Sequence, residues 1–488
     1  FFHFLHHISF LAIHIQKDLN NIMTKFDIVI YGATGFTGKF IAAQVAKLAK
    51  EKSITWAVGG RNANKLGELN DWLFSTGALS EGDRPAEILV ADCADTPALE
   101  GLCGRARVLI NATGPFRFWG EAVVAACVAA GCHYVDITGE PEFIERCRVF
   151  HHRRALESGV LVVNSCGFDS IPADLGAMFT AAQFPGGASA IEAFITGSEE
   201  IKAHITTLEC AIHGFQNQKG LRDVRRQAEQ VAVPRAGPRL RRRGAFFREA
   251  RTGKWCVPWK GSDAAVVRAS QKQLVQLRVE DPRHAPDTHP FQFGIYCGFN
   301  SLGAGLKHLT WNMIFLACIQ SKCGVNALLK YPGPLTLGTF SHEGPSERVL
   351  RTAWVELRFF GSGYSVAGAR AEGAAPDRQV EAFFRLPEAG YVATPIFVVT
   401  AAERILAGDT AVKAGVVTTA TAFRGTGMLD RLREQGIEVG VRSEGPRPAA
   451  AAAGGKGAAA SSSSTERSNL LPKAERGGNT KVDADKNA

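Results

Sequence analysis

The chain has 488 residues, of which 45% are hydrophobic and 21% charged, and a formal net charge of +9. This length admits two domains, each with a core of its own, and excludes a small fold that needs staples. Nucleic-acid binding is not indicated, because Lys219–Lys254 holds twelve basic and three acidic residues and so carries the whole excess. Such a run is most often a solvated surface loop, though it can also touch anionic lipid or phosphate.

Eleven cysteines form no C-x-x-C pair, and H-E-x-x-H is absent. No metal is therefore expected, and the thiols read as reduced, buried groups of a cytosolic protein. The opening FFHFLHHISF lacks a basic flank and a small-residue cleavage site, so secretion is not expected. Met23 stands just ahead of the first apolar run, and residues 1–23 read as a leader outside the fold, disordered or a gene-model extension.

The rest of the chain is organised around Phe26–Gly38 (FDIVIYGATGFTG). Its β-branched residues suit a strand buried on both faces, the glycines a tight turn, and Ile41, Val45 and Leu48 the inner face of a helix. Strand, glycine turn and helix open a dinucleotide-binding fold, with the phosphates at the helix N-terminus. The expected contacts are Gly32, Thr34, Gly35, Phe36, Thr37 and Gly38. A second strand, 54–59, ends at Arg61, where an NAD site usually has an acidic residue; an arginine favours the 2′-phosphate of NADP. The third strand, 87–91, ends at Asp92, placed to meet the adenine edge or to cap a turn.

A fourth strand, 108–111, runs into Asn111, Ala112, Thr113 and Gly114, small residues that let backbone lie against the nicotinamide ribose. Helix 121–130, strand 134–137, helix 141–158 and strand 160–164 continue the alternation to SCGFDSIPADLG (165–176), where Asp169 or Ser170 is placed to cap a helix containing Pro172. Unbroken β-α alternation over 24–185 predicts an α/β class with a Rossmann-type, doubly wound parallel sheet. Past Pro185 the pattern changes to a second α+β domain, 186–389, with strands expected at 190–196, 202–211 and 355–360. Leu309–Ile319 is its most apolar run; the 14 uncharged residues around it span only ~21 Å as a helix, too short to cross a bilayer. That run fits either a buried core helix or one lying in a lipid interface. Helical pattern returns at 390–406 and 428–435, and residues 441–488 read as a disordered Ala/Gly/Ser-rich tail.

Taken together, YGATGFTG (31–38), VGGRN (58–62), NATGPF (111–116), HYVDITGE (133–140), NSCGFDSIPADLG (164–176), WKGSDAAVVRAS (259–270), KYPGPLTLGTFSHEGPS (330–346), FFGSGYS (359–365) and GYVATP (390–395) resemble the saccharopine dehydrogenase-like oxidoreductases. The trans-acting enoyl reductases of bacterial lipid synthesis look related. The resemblance implies an NADP-type Rossmann domain completed by residues 390–440, and a middle domain for substrate or dimerisation. It also implies a link to lipid or glycolipid metabolism and association with lipid droplets or membranes.

Tyr-x-x-x-Lys is absent, so the short-chain dehydrogenase mechanism is excluded. Tyr134, Glu140, Cys166, Asp169 and Ser170 stand near strand ends as proton donors, with Asp169 and Cys166 the first choices for catalysis. Two functions remain open. One is an NADP(H)-dependent oxidoreductase acting on a lipid-linked or hydrophobic substrate. The other is a non-catalytic nucleotide-binding protein peripheral to a lipid droplet or the cytoplasmic side of a membrane. A homodimer is the expected assembly in either case.

Overall fold

Short apolar strands decide the first half of the chain. In β1 (Phe26–Tyr31), Ile28, Val29 and Ile30 have no exposed surface, the mark of a strand covered on both faces. The computed structural model describes residues 25–446 apart from 199, 201, 235–236, 281–288 and 369–373. The expected leader, 1–23, and the expected tail past 446 lie outside the described residues.

After β1 come α1 (Phe36–Lys52), β2 (Trp56–Gly60), α2 (Ala63–Ser75), β3 (Glu87–Val90), α3 (Thr96–Gly104) and β4 (Ala106–Asn111). Then follow α4 (Phe116–Ala130), β5 (His133–Asp136), α5 (Pro141–Glu157), β6 (Leu161–Val163) and α6 (Ile171–Ala181). These six strands and β15 (Gly415–Val417) form one parallel sheet in the order β15-β6-β5-β4-β1-β2-β3. The order reverses between β1 and β4, which opens a crevice at the carboxyl ends of those strands. One face buries Leu102, Val124, Cys127 and Phe143 from α3, α4 and α5. The other carries Ile41 and Val45 of α1 and Leu66 of α2, with Phe397 and Val398 from much later in the chain. Each such side chain contributes about 1.5–3 kcal/mol relative to exposure.

The second region runs β7 (Ala188–Gly197), β8 (Ala203–His204), α7 (Ile205–Gln216), α8 (Gln218–Gln227), β9 (Phe247–Glu249), β10 (Lys254–Pro258), α9 (Asp263–Glu280) and β11 (Gln292–Phe299). Next are α10 (Leu302–Cys318), α11 (Lys322–Lys330), α12 (Pro332–Leu335), β12 (Phe340–Ser341), α13 (Glu347–Thr352), β13 (Trp354–Gly363) and β14 (Arg378–Pro387). A short π-helix (Ala389–Ala393) leads into α14 (Thr394–Leu406), and after β15 the described residues finish with α15 (Thr419–Phe423), α16 (Met428–Glu434) and β16 (Glu438–Pro446). A mixed sheet, β16-β14-β13-β7-β11-β10-β9, results; only its β7–β11 pair is parallel.

Three expectations need correction. Residues 202–211 are not one strand: β8 is two residues long and α7 begins at Ile205, capped by His204, whose ring accepts a bond from the Thr206 amide. Ile205, Thr206 and Thr207 imitate a strand, but Leu208 and Ile212 lie one turn apart and both are fully buried. The tail does not begin at 441, because residues 441–446 belong to β16 and pair with β14. Neither Asp169 nor Ser170 caps α6 through a side chain; the Ser170 hydroxyl donates to the Asp169 carbonyl instead.

The apolar stretch Ala389–Leu406 is long enough to cross a membrane, yet 72% of it is buried. Its α14 part packs on α1, β4 and β5 as a core helix. Asp174 of α6 joins the regions. Its carboxylate accepts bonds from Ser270 Oγ of α9 at 2.7 Å and, from α15, Thr419 Oγ1 at 2.8 Å and the Ala420 amide at 2.7 Å. Asp174→Ala leaves the Thr419 hydroxyl and the Ala420 amide buried without this acceptor, at about 1–3 kcal/mol for each, while Ser270 Oγ keeps its bond to Thr418 Oγ1. Denaturant unfolding should show a clearly lowered midpoint for the alanine variant and a smaller loss for Asp174→Asn, which keeps an acceptor for the Ala420 amide.

Candidate functional site

The turn after β1 is built for close backbone approach. Gly32 has φ of +80°, and a Cβ there would meet Thr113 Oγ1 at 2.5 Å. At Gly38 a Cβ would collide with the carbonyl of Gly32, so the third glycine lets α1 pack on the turn. Gly35 is the N-cap of α1 without any capping side chain, so no side chain occupies the first-turn amides. Thr113 Oγ1 is buried without a partner beside Gly32. Bare amides, an exposed Gly35 and an unpartnered hydroxyl across the crevice fit a dinucleotide pyrophosphate.

The structure distributes the expected contacts unevenly. Thr34, Gly35, Arg61 and Asp92 are exposed, and Phe36, Thr37, Ala112, Thr113 and Gly114 are half-buried around the crevice. Asp92 accepts a bond from the Ala94 amide at 2.9 Å and so caps its turn. The Phe36 ring stacks on His204 of β8 at 4.4 Å, which commits that side chain to the second region and leaves only its backbone to a phosphate. Asn111 is a correction: it has no exposed surface, and its side chain donates to Tyr134 Oη at 3.0 Å and accepts from the Thr113 amide at 3.0 Å. It shapes the strand end from below and is not a surface for a cofactor.

Behind the ends of β4, β5 and β6 lies a polar network centred on Asp136. Its carboxylate accepts from Tyr134 Oη (2.9 Å), Asn164 Nδ2 (2.8 Å) and the amides of Ser165 (2.7 Å) and Thr138 (3.1 Å). Burial raises its pKa to about 6, against those four bonds. Asp136 was missed at the sequence level, although an aspartate at the last residue of a buried strand is itself a signal.

The five proton-donor candidates separate on their partners. Tyr134 is wholly buried and spent on Asp136, with its pKa pushed far up by burial. Glu140 accepts from the Phe116 (2.8 Å) and Arg117 (3.0 Å) amides, so it caps α4. Ser170 is bonded to the neighbouring carbonyl. Cys166 is another correction: it has no exposed surface, donates to the Val163 carbonyl at 3.4 Å, and burial raises its thiol well above the ordinary range, the environment of a packing residue.

Asp169 differs. It is half-buried, and its carboxylate receives no hydrogen bond from the described residues. It lies so close over Gly139 that any side chain there would collide with it. Burial pushes its pKa up to about 6. A second group here is Cys210 of α7, unforeseen in the sequence, whose Sγ would lie 3.5 Å from a Cβ at Gly114. Its thiol is raised by burial and by Glu140 and Asp169. Gly114, Gly139, Glu140, Asp169 and Cys210 thus meet at the crevice. Such an arrangement can hold a proton beside a narrow, glycine-floored slot. Among the described residues no three His, Cys, Asp or Glu side chains gather as a metal site.

Comparison with known proteins finds relatives along most of the chain. The family model described as the saccharopine dehydrogenase NADP binding domain matches residues 28–164. A human protein named saccharopine dehydrogenase-like oxidoreductase is 36% identical over 434 residues, covering 86% of this chain and 97% of its own. A Caenorhabditis elegans protein named lipid droplet localized protein is 32% identical over 435 residues, covering 86% of this chain and 99% of its own. A Mycobacterium tuberculosis protein named for trans-acting enoyl reduction is 38% identical over 164 residues, 33% of this chain and 37% of its own.

The site makes two expectations measurable. Gly35→Val should abolish dinucleotide binding by fluorescence titration and lower the melting temperature somewhat, since a Cβ there would stand 3.2 Å from the Gly32 carbonyl oxygen, tighter than ordinary contact. Arg61→Ala should weaken NADPH by about one to two decades, the equivalent of a charge-assisted bond at about 1.5–3 kcal/mol, and leave NADH unchanged. Equal affinity of the wild type for both cofactors contradicts the role given to Arg61.

Proposed function

This chain belongs to the saccharopine dehydrogenase-like oxidoreductases, and on that premise we propose that it reduces a C=C or C=O group of a lipid-linked or hydrophobic substrate, with Asp169 as proton donor. The observation that carries the reading is the unclaimed Asp169 carboxylate at the strand ends, where the other four candidates are spent on structural bonds. The family's NADP-binding domain supports NADP(H) as cofactor. The turn from Gly32 to Gly38 would hold the pyrophosphate, Arg61 the 2′-phosphate, and the backbone of Ala112, Thr113 and Gly114 would flank the nicotinamide ribose. When bound, the nicotinamide supplies a hydride.

The chain's own residues do the rest. Glu140 holds the start of α4, and the Asp136 network fixes the ends of β5 and β6 on which Asp169 rides. With a pKa of about 6, Asp169 can gain and lose a proton near neutrality and deliver it to the second atom of the reduced double bond. NADPH oxidation against a panel of enoyl and keto lipid intermediates tests the reading. Asp169→Asn should lower turnover by about 10²–10⁴-fold with NADPH affinity unchanged; full turnover in the variant removes Asp169 from the chemistry.

A second observation favours attachment to a lipid surface. One face of α10 buries Phe315 against Leu208, Ile212 and Leu328. The opposite face exposes Leu302 (45%), Leu306 (48%), Met313 (72%) and Leu316 (39%), spaced as a helical stripe. From Thr288 to His342 the sequence has no Asp or Glu, while Lys307, Lys322 and Lys330 flank the stripe. At 17 residues α10 is about 26 Å long and only half of it is free, so it would lie in an interface and not span it. In flotation assays the protein should bind anionic vesicles at low salt and release at high salt, each nearby lysine adding about 1 kcal/mol. Met313→Glu should release it. Absence of binding at low salt leaves the oxidoreductase reading without a surface role.

A further inference from the structure

Two segments with no part in the hydride and proton transfer just proposed, 259–263 and 391–395, meet on the backbone of the turn that carries Asp169. Ser262 Oγ donates to the Asp169 carbonyl at 2.8 Å, from 93 residues away. Thr394 Oγ1 accepts from the Phe168 amide at 3.1 Å, from 226 residues away. Both side chains are buried. Each is fixed in its turn. The Ser262 carbonyl accepts the Ala265 (2.8 Å) and Val266 (3.0 Å) amides at the start of α9, and the Trp259 amide donates to the Ile295 carbonyl of β11 at 3.1 Å. The Thr394 hydroxyl gives its one proton to the Ala389 carbonyl at 2.8 Å, so it meets the Phe168 amide as an acceptor. Gly167 admits this approach, because a Cβ there would press on Thr394 Cγ2 at 3.1 Å.

Building on Asp169 as the proton donor, we propose that Ser262 and Thr394 are its positioning residues: two hydroxyls that clamp the backbone of Phe168 and Asp169, and so aim a carboxyl that no side chain holds. The near end of the turn is already tied to the parallel sheet. Ser165, at φ of +61°, donates its amide to Asp136 at 2.7 Å and its hydroxyl to the Thr138 carbonyl. The far end depends on α9 and α14 through the two hydroxyls. Ser170 Oγ also donates to the Asp169 carbonyl, at 2.6 Å, but it is the adjacent residue and moves with the turn. A carboxyl without partners is directed by the backbone that bears it and by what it packs on, here Gly139. Proton transfer needs the donor within about 2.6–3.2 Å of its target, and a misplacement of about 1 Å costs about 10²-fold in rate.

Amide exchange in the full chain, without cofactor or substrate, tests the clamp. Ser262→Ala and Thr394→Val should each speed exchange over residues 165–170 by about tenfold, as one lost hydrogen bond allows, and leave β5 and β6 unchanged. Thr394→Ser, which keeps the hydroxyl, should exchange like the wild type. Turnover of a long-chain trans-enoyl thioester with NADPH tests the consequence. Both hydroxyl-deleting variants should lower kcat by about 10–100-fold with KM and NADPH affinity unchanged, and Thr394→Ser should restore most of it. In an Asp169→Asn background the same changes should cost less than about twofold more, because the group they aim is gone. A merely structural role lowers both backgrounds alike. Ser262→Ala serves if Thr394→Val does not fold, since the Asp169 carbonyl keeps its bond to Ser170. Unchanged exchange in the variants, or equal losses of kcat in the two backgrounds, overturns the positioning role alone. Full turnover in Asp169→Asn overturns the donor itself and leaves the two hydroxyls nothing to aim.

Discussion

One carboxylate without a cation, Asp174, holds the architecture together. It lies on α6, where the chain leaves the parallel sheet; its donors come from α9, which backs the mixed sheet, and α15, which follows the last parallel strand. Burial raises its pKa, and the three donors partly offset that cost. Since these partners are 96 to 246 residues away, the bond set forms only when both regions are assembled. The two sheets accordingly share a single hydrophobic core, in which Ile28 and Val163 belong to the same cluster as Ile191, Phe359 and Phe384. Gly176 on α6 shows how close the approach is, because a Cβ there would run into the Phe359 ring. A crevice bordered by such a core has its width set by packing and not by a hinge.

The candidate site sits where the fold leaves polar groups at strand ends. Most are used to make the ends rigid: Asp136 ties β5 to β6, Glu140 caps α4, and Asn111 supports the turn into Gly114. Against this background an unbonded, half-buried carboxyl is conspicuous. The second region contributes by closing over the parallel sheet, with α7 bringing Cys210 to Gly114 and His204 stacking on Phe36 at the glycine turn. The crevice is thus lined from both regions.

Local signals made the first half of the fold legible. The β1 triplet, the glycine turn and the β-α alternation each depend on neighbours within a few residues, and the strands fall within two residues of their expected bounds. The second half was harder because Ile205-Thr206-Thr207 has strand chemistry, while the helix there is decided by burial of Leu208 and Ile212 against α10 and α11. The end of the fold was misplaced for a similar reason: β16 is mixed-charge and half-exposed, and only its pairing with β14 makes it a strand. At the site, Asp169 was visible from position, but Cys166 sits one side chain away on the buried face. Cys210 reaches the crevice through tertiary packing alone, which no spacing along the chain encodes.

The placement of α14 and β15 has a consequence for synthesis. Six strands of the parallel sheet are complete by Val163, but the helix covering their centre and the seventh strand come after residue 390. Arg431, buried on α16, then reaches back to Glu51 of α1 at 2.8 Å, closing the first helix with nearly the last. A nascent chain therefore leaves the ribosome with one face of its first sheet only partly covered, by α1 and α2, while more than 200 further residues are made. Pairings so distant in sequence are slow and leave sticky surface open. The fold therefore leaves apolar surface of the first sheet uncovered during synthesis until α14 has been made.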